Sequence, residues 1–194
     1  MKISEAKAQY YRNSTILAAN KSNMANRKEE VEKRYKETGN ESYLKEAATL
    51  ELSIKNTEEA EKKNQSVLDS INEQWMARMN MESAKQQGEA MAKGAEDMGK
   101  VITVFRRLAS GDIVPASDEK KLMEYDWKMY QMAKNMQMMA QVEERKKHKS
   151  LWEDEEPTEN ADSNEVANES EYVGSLPEIE IPDTGENTTV DTTE

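Results

Sequence analysis

The sequence predicts an all-α fold of elongated antiparallel coiled-coil hairpins, followed by a disordered acidic C-terminal tail. Three observations predict this class. Apolar residues recur at intervals of three and four through most of the first 152 residues, which is the pattern of helix seams. The chain is 34% charged and only 6% aromatic, with a mean hydropathy of −1.01, as is typical of long solvated helices. The third observation is an uneven distribution of charge.

The net charge of −12 is concentrated at the C-terminal end of the 194-residue chain. Residues 153–194 hold fifteen of the 39 acidic residues and no Lys or Arg. The remaining 24 acidic residues face all 27 basic residues within residues 1–152, so this part is nearly neutral. The charge pattern therefore divides the chain into a helical body, residues 1–152, and an acidic tail, residues 153–194.

The first hairpin is predicted over about residues 3–75. A seam from Ile3 to Tyr35 predicts a helix over about residues 3–37, and "ETGNES" then interrupts the pattern. Gly39 suits a left-handed position after this helix, and Asn40 can cap the next one. A turn this short makes the two helices antiparallel. The expected facing pairs include Val31 with Ala47, Met24 with Ile54, Tyr10 with Leu68 and Ile3 with Trp75.

The second hairpin is predicted over about residues 77–152. The second helix is expected to run from about 41 to 109, through the glycines between Gly88 and Gly99, and to end at Gly111. A last helix is expected over about 118–150, capped by Ser117 or Asp118. If this helix folds back on the second helix, the apolar seams of the two helices face each other. Most methionines of "MYQMAKNMQMM" would then be buried in the core between them. The expected pairs are Met129 with Met98, Met132 with Ala95, Met136 with Met91 and Met139 with Gly88, while Met138 points elsewhere.

The acidic tail has too few apolar residues to offset its ordering entropy, so we expect disorder from residue 153 onward. One segment, "YVGSLPEIEIPDT", alternates apolar and acidic residues. This alternation is typical of a segment that adds a strand to the sheet edge of a partner. The candidate motif consists of Tyr172, Val173, Leu176, Ile179 and Ile181.

The sequence predicts no catalytic residue, cofactor or metal site, and the chain is not expected to be an enzyme. It has no cysteine and one histidine, so nucleophile–base pairs and ordinary zinc sites are excluded. His148, in "RKKHKS", is expected at a helix C-terminus, where cations offset the helix dipole. The methionine spacing favours a core over a copper site. The basic run has no interleaved aromatic residues, which disfavours nucleic acid as a partner.

The predicted function is that of a non-catalytic adaptor or scaffold that binds partner helices or self-associates. Exposed methionines beside tryptophans make an adaptable contact surface. The candidate interaction residues are Trp75, Met76, Met79, Trp127, Met138 and Trp152. With no membrane span or signal peptide, the expected location is the cytoplasm. Two alternatives stay open: a protein exported without a signal, or a component of a bacterial secretion or phage assembly; and a tail that mimics nucleic acid intramolecularly.

Overall fold

The computed structural model describes residues 1–140, 145–155 and 159–182. Within these ranges the chain forms helices only, apart from isolated bridges, and the predicted all-α class of helical hairpins is confirmed. In the described ranges, no helix combines the length and apolarity that crossing a membrane requires. The helices are α1 (Ile3–Thr38), α2 (Glu41–Ala109), α3 (Ala116–Tyr125), α4 (Trp127–Met139) and α5 (Ser163–Glu169).

The chain divides into two compact units. The first unit comprises Met1–Glu82 together with the chain from Asp162 onward, and the second comprises Ser83–Ala161. The first unit thus contains α1, the N-terminal part of α2 and α5. The second unit contains the C-terminal part of α2, α3 and α4.

The first unit is built on the predicted hairpin. Gly39 follows α1 with φ 69°, and Asn40 accepts a hydrogen bond from the Ser42 N–H at 3.0 Å, so the predicted turn is confirmed. One core cluster near the turn contains Met24, Val31, Ala47, Leu50, Tyr43 and Ile54. A second contains Ile3, Ala6, Tyr10, Leu17, Ala60, Leu68 and Ile71, with Trp75 against it. The expected facing pairs therefore share clusters.

The last predicted helix, over 118–150, is wrong in its extent. It is two helices, α3 and α4, separated by Asp126 in an extended conformation with φ −153°. The Asp126 carboxylate accepts hydrogen bonds from the backbone N–H groups of Lys128 at 2.8 Å and Met129 at 3.1 Å. A carboxylate that satisfies these free N–H groups favours the start of a new helix over the continuation of the old one.

The methionine core expected in the second hairpin is also wrong. Met132, Met136 and Met139 of α4 are exposed, as are Met91 and Met98 of α2. The core consists instead of Val101, Val104, Leu108, Val114, Leu122 and Ala133, with Phe105 and Met129 packed against it. The aliphatic residues at 101, 104 and 108 also keep the spacing of three and four. They form a second apolar face on α2, more hydrophobic than the Met/Ala/Gly seam beside it.

Residues 145–155 are not helical, so the expected position of His148 at a helix end is wrong. Ile113 and Lys147 form a parallel bridge. The Ile113 N–H donates to the Lys146 carbonyl at 2.8 Å, and the His148 N–H donates to the Ile113 carbonyl at 3.1 Å. The His148 ring also donates to the Asp112 carboxylate at 2.8 Å. These bonds hold the basic run as an extended segment beside the α2–α3 loop. Residues 141–144 of the predicted helix lie outside the described residues.

Residues 159–182 are expected to be disordered, but residues 162–182 lie against the helices of the first unit. They form α5 and then an extended segment. Asp162 caps α5 by accepting from the Asn164 N–H at 2.8 Å. Most acidic side chains of this segment are exposed to solvent, so its negative charge is compatible with packing against the helices. Ala167 and Ile179 are buried. Residues 156–158 and 183–194 of the predicted tail lie outside the described residues.

Candidate interaction surfaces

Helix α4 exposes five large apolar side chains to solvent. The exposed fractions are 53% for Trp127, 56% for Met132, 47% for Met136, 78% for Met138 and 84% for Met139. Ala133 is the fully buried residue of this helix. Because 3.6 residues make one turn, burial at Ala133 leaves Met132, Met136 and Met139 along one flank of the buried stripe. We call these three residues the α4 methionine flank.

A parallel feature occurs on the C-terminal part of α2. Met91, Met98 and Ile102 are exposed, and Met91 and Met98 are seven residues apart. The same spacing separates Met132 from Met139. The second unit therefore carries two heptad-spaced apolar flanks that its own core leaves open. Ala95 is exposed as well, and its small side chain permits close approach of another helix.

The six candidate interaction residues divide between the two units and differ in exposure. Met76 and Met79 lie in the first unit, Met76 exposed and Met79 half-buried. Trp127 and Met138 lie in the second unit and are exposed. The Trp127 ring packs beside Tyr130, with ring centroids 5.6 Å apart. The two remaining residues, Trp75 and Trp152, are half-buried and make specific contacts within their own units.

Trp75 joins the hairpin to the C-terminal segment of the first unit. Its indole N–H donates to the Asn168 side-chain oxygen at 2.9 Å. The Lys7 ammonium lies 4.2 Å from the ring centroid, an arrangement that favours a cation–π contact. Burial lowers the pKa of Lys7 from its ordinary value. Trp75 is thus engaged in contacts within the first unit.

Trp152 makes a comparable contact in the second unit, where it lies beside Asp97. Its indole N–H donates to the Asp97 carboxylate at 2.9 Å, and the Lys100 and Lys121 ammonium groups lie 5.7 and 5.4 Å from its ring. The hydrogen bond with Glu155 raises the pKa of Lys100, and a second bond with Glu96 adds to this. The segment 150–155 therefore covers the face of α2 around Asp97 and Lys100.

The candidate tail motif lies on the first unit's own hairpin. Ile179 is buried in the core cluster there, and Tyr172 and Leu176 pack against that cluster. Val173 and Ile181 are exposed. The Tyr172 hydroxyl lies 3.1 Å from that of Ser70. Apolar side chains of the motif thus pack against helices of the same chain. The sequence predicts instead that the motif binds the sheet edge of a partner.

Two residues that organise these surfaces were missed by the sequence reasoning. Asp118, expected as a helix cap, is fully buried and accepts hydrogen bonds from the Ser150 hydroxyl at 2.5 Å and the Leu151 N–H at 3.0 Å. Gln74 binds the Val173 backbone through both its amide nitrogen and its carbonyl oxygen. Neither contact has a local sequence signal, because each joins residues far apart in the chain.

Among residues 1–140, 145–155 and 159–182, no group of three or more His, Asp or Glu side chains is arranged to hold a metal ion. Comparison of the chain with protein-family models, with curated proteins and with solved structures found no match.

Proposed function

We propose that this chain is a non-catalytic helical interaction protein, whose second unit binds a helix through the α4 methionine flank. The observation that carries the proposal is the exposure of Met132, Met136 and Met139 on one side of a 13-residue helix. Clustered exposed apolar side chains mark interaction sites, and flexible thioethers adapt to the shape of a partner.

Self-association is the form of this proposal that can be tested first. The exposed α2 flank, with Met91 and Met98, has the same heptad spacing as Met132 and Met139. A helix from a second copy can therefore align with either flank. Burial of one Met side chain contributes about 1.5–3 kcal/mol, so a few such contacts suffice for measurable association.

The test compares two double variants of the full chain that each add two negative charges to α4. Met132→Glu/Met139→Glu changes the flank, and Gln131→Glu/Asn135→Glu changes exposed polar positions on the same helix. We expect the methionine variant to weaken self-association at least about tenfold, since a charge cannot be buried without a partner. The polar control should leave association unchanged. Sedimentation equilibrium measures both.

The same pair of variants distinguishes self-association from binding to a different helical protein. If the unmodified chain stays monomeric at about 0.2 mM, self-association is contradicted. A partner isolated with the unmodified chain should then be retained by the polar control and lost with the methionine variant. Equal retention by all three chains would remove α4 from the proposal.

A cytoplasmic location belongs to this proposal, and export without a recognisable signal is the alternative. Separate measurement of the protein in intact cells and in the cell-free medium distinguishes the two. Protein in the medium without a cytoplasmic marker enzyme would contradict the cytoplasmic location.

The alternative of a tail that mimics nucleic acid has weaker support. Tail carboxylates do pair with lysines of the body, Glu169 with Lys2 and Glu155 with Lys100 at 2.5 Å. However, the segment after α5 is held mainly by backbone hydrogen bonds and apolar side chains, which do not depend on the charge of the tail.

A further inference from the structure

The extended segment after α5 lies in a groove of the first unit whose polar side chains bind its backbone. We call this segment, together with the last two residues of α5 (residues 168–182), the strap. The surface between the N-terminal part of α1 and residues 67–75 of α2 is called the strap groove. The Gln74 side chain donates to the Val173 carbonyl at 2.8 Å and accepts from the Val173 N–H at 2.9 Å. One side-chain amide thus makes both hydrogen bonds that a neighbouring strand would make.

Further backbone contacts continue along the strap. The Tyr10 hydroxyl donates to the Pro177 carbonyl at 2.5 Å, and the Asn20 side chain donates to the Pro182 carbonyl at 3.3 Å. From Tyr10 to Asn20, α1 rises about 15 Å at 1.5 Å per residue. The five residue-to-residue steps from Pro177 to Pro182 cover a similar length at about 3.3 Å each. An extended peptide therefore stays in register with the helix beside it.

The start of the strap is aligned by the first residues of the chain. The Ile3 N–H donates to the Ser170 carbonyl at 2.9 Å, and the Tyr172 N–H donates to the Met1 carbonyl at 3.1 Å. Lys2 and Glu171 form an antiparallel bridge. Extended backbone therefore pairs with extended backbone just before α1 begins. Trp75, bonded to Asn168, closes this end of the groove.

Side-chain selectivity in the groove comes from three positions. Tyr172, Leu176 and Ile179 point to the core cluster, which also contains Ile71 and is flanked by Val67. Val173 is 66% exposed, so its side chain contributes little while its backbone makes two bonds. The acidic residues Glu171, Glu178 and Glu180 are exposed. The groove thus selects an extended backbone with apolar side chains at intervals of four and three, and it leaves the acidic side chains in solvent.

The attachment of the strap rests on few apolar anchors relative to its length. Ordering fifteen residues costs conformational entropy at each one, and three side chains supply most of the apolar burial. The strap remains bound because its covalent connection gives it a high effective concentration at the groove. A segment that binds weakly by itself and is held by a tether can be displaced. A free segment of the same sequence can then take its place in the groove.

We infer that the strap groove is a binding site for an extended acidic peptide, that residues 168–182 are its resident ligand, and that the same segment of a second copy binds there when the resident strap is displaced. Exchange of an identical element between protomers is a low-cost route to a dimer. This site lies in the first unit and uses no residue of α4, so its failure leaves the proposed α4 surface untouched.

The experiment adds a fluorescently labelled peptide of residues 168–182 to the full-length chain and measures fluorescence anisotropy. In the unmodified chain the resident strap competes, so the peptide binds weakly. In the variant Tyr172→Ser/Ile179→Ser, the resident strap loses two anchors while the groove keeps its residues. We expect the peptide to bind this variant at least about tenfold more tightly than the unmodified chain.

Two matched controls define the site. Val173→Ser changes an exposed strap side chain, so peptide affinity should equal that of the unmodified chain. A labelled peptide with Ile179→Ser should bind the weakened chain at least about tenfold less tightly than the native peptide, since it lacks a buried anchor. Adding Gln74→Ala to the weakened chain should reduce binding of the native peptide, because two backbone hydrogen bonds are lost.

The inference is overturned if the weakened chain binds the native peptide no better than the unmodified chain does. It is also overturned if the native and Ile179→Ser peptides bind equally well. Circular dichroism verifies that the weakened chain keeps its helices. If the double variant unfolds, Ile179→Ser alone takes its place, because Ile179 lies at the margin of the cluster; the same increase in affinity, smaller in size, is then required.

Discussion

At the scale of single residues, Asn64 is the polar exception in the core of the first unit. It is buried, and its side-chain nitrogen donates to the Tyr10 carbonyl at 3.0 Å and to the Ser14 hydroxyl at 2.7 Å. Its side-chain oxygen finds no hydrogen-bond partner in the described part of the chain. Such a residue can specify the pairing register of two helices at the expense of stability.

We therefore expect Asn64→Leu to stabilise the first unit by about 1–2 kcal/mol, because it removes a buried acceptor without a partner and adds apolar surface. The Ser14 hydroxyl keeps its own bond to the Tyr10 carbonyl at 3.2 Å. Asn56→Leu, on the exposed face of α2, is the control and should change stability by less than about 0.5 kcal/mol. Urea unfolding measures both; a loss of stability in Asn64→Leu contradicts the argument.

Asp112 is the residue at which pH should act on the second unit. The hydrogen bond from His148 holds the pKa of this carboxyl below its ordinary value, and the backbone N–H of Lys146 adds to the effect. A carboxyl with a depressed folded-state pKa contributes stability above its unfolded pKa, near 3.8, and loses it as pH falls through the lower folded value.

The expected result is that Asp112→Asn flattens the acid limb of the stability curve. Between about pH 5 and pH 2, the unmodified chain should lose more stability than Asp112→Asn does. Glu124→Gln, at an exposed position of α3, should leave the curve as it is. Urea midpoints across this pH range, read from tryptophan fluorescence, provide the measurement. Parallel curves for Asp112→Asn and the unmodified chain would show that the pair does not stabilise the fold.

At the scale of elements, the break between α3 and α4 decides which side chains reach solvent. An uninterrupted helix would keep the phase of the seam that begins at Leu122 and would bring the methionines of α4 onto α2. The extended conformation of Asp126 rotates α4 relative to the seam of α3. As a result α4 buries Ala133 and not its methionines. The side-chain cap at Asp126 is the local interaction that stabilises the start of α4.

Removal of this cap gives an element-scale prediction. Asp126→Ala should destabilise the second unit by about 0.5–2 kcal/mol, because the N–H groups of Lys128 and Met129 lose their acceptor. Asn135→Ala, at an exposed position inside α4, should have little effect or a small stabilising one. Thermal unfolding followed by circular dichroism compares them. Equal stability of Asp126→Ala and the unmodified chain would indicate that packing alone sets the break.

At the scale of the whole molecule, the strap could be held to the hairpin by electrostatic attraction or by hydrogen bonds and apolar packing, and the charges distinguish the two. Residues 1–82 carry fourteen basic and fourteen acidic side chains, while residues 159–182 carry seven acidic side chains and no basic one. The hairpin that receives the strap is thus neutral overall. Attraction between net charges does not hold the strap in place; hydrogen bonds to its backbone and its apolar anchors do.

Strap binding should therefore depend little on salt. Between about 0.05 M and 0.5 M NaCl, hydrogen exchange at the amides of Tyr172 and Val173 should change by less than about threefold. Lys2→Ala, which removes the ion pair with Glu169, should give a chain with the same weak dependence. A tail held as a nucleic-acid mimic would instead exchange much faster at high salt, since screening weakens attraction between opposite charges.

The positions of α1 and α2 and the turn between them follow from the sequence alone. The observed bounds of α1 and α2 match the predicted ones within a residue, and Gly39 has the left-handed conformation that the turn requires. Seam periodicity, a short turn and a capping residue are local properties, so they are readable without coordinates. The predicted pairing across the first hairpin succeeded because one seam on each helix dominates.

The burial of the second unit's methionines and the position of the strap were decided only by the tertiary structure. Two apolar faces with the same spacing lie side by side on α2, and periodicity cannot rank them. The returning segment 150–155, held by Asp118, covers the face with Val101 and Val104 and leaves Met91 and Met98 open. The strap likewise gains its order from a groove that exists only after α1 and α2 have packed. Its own composition, acidic and poor in apolar residues, predicts no stable structure in isolation.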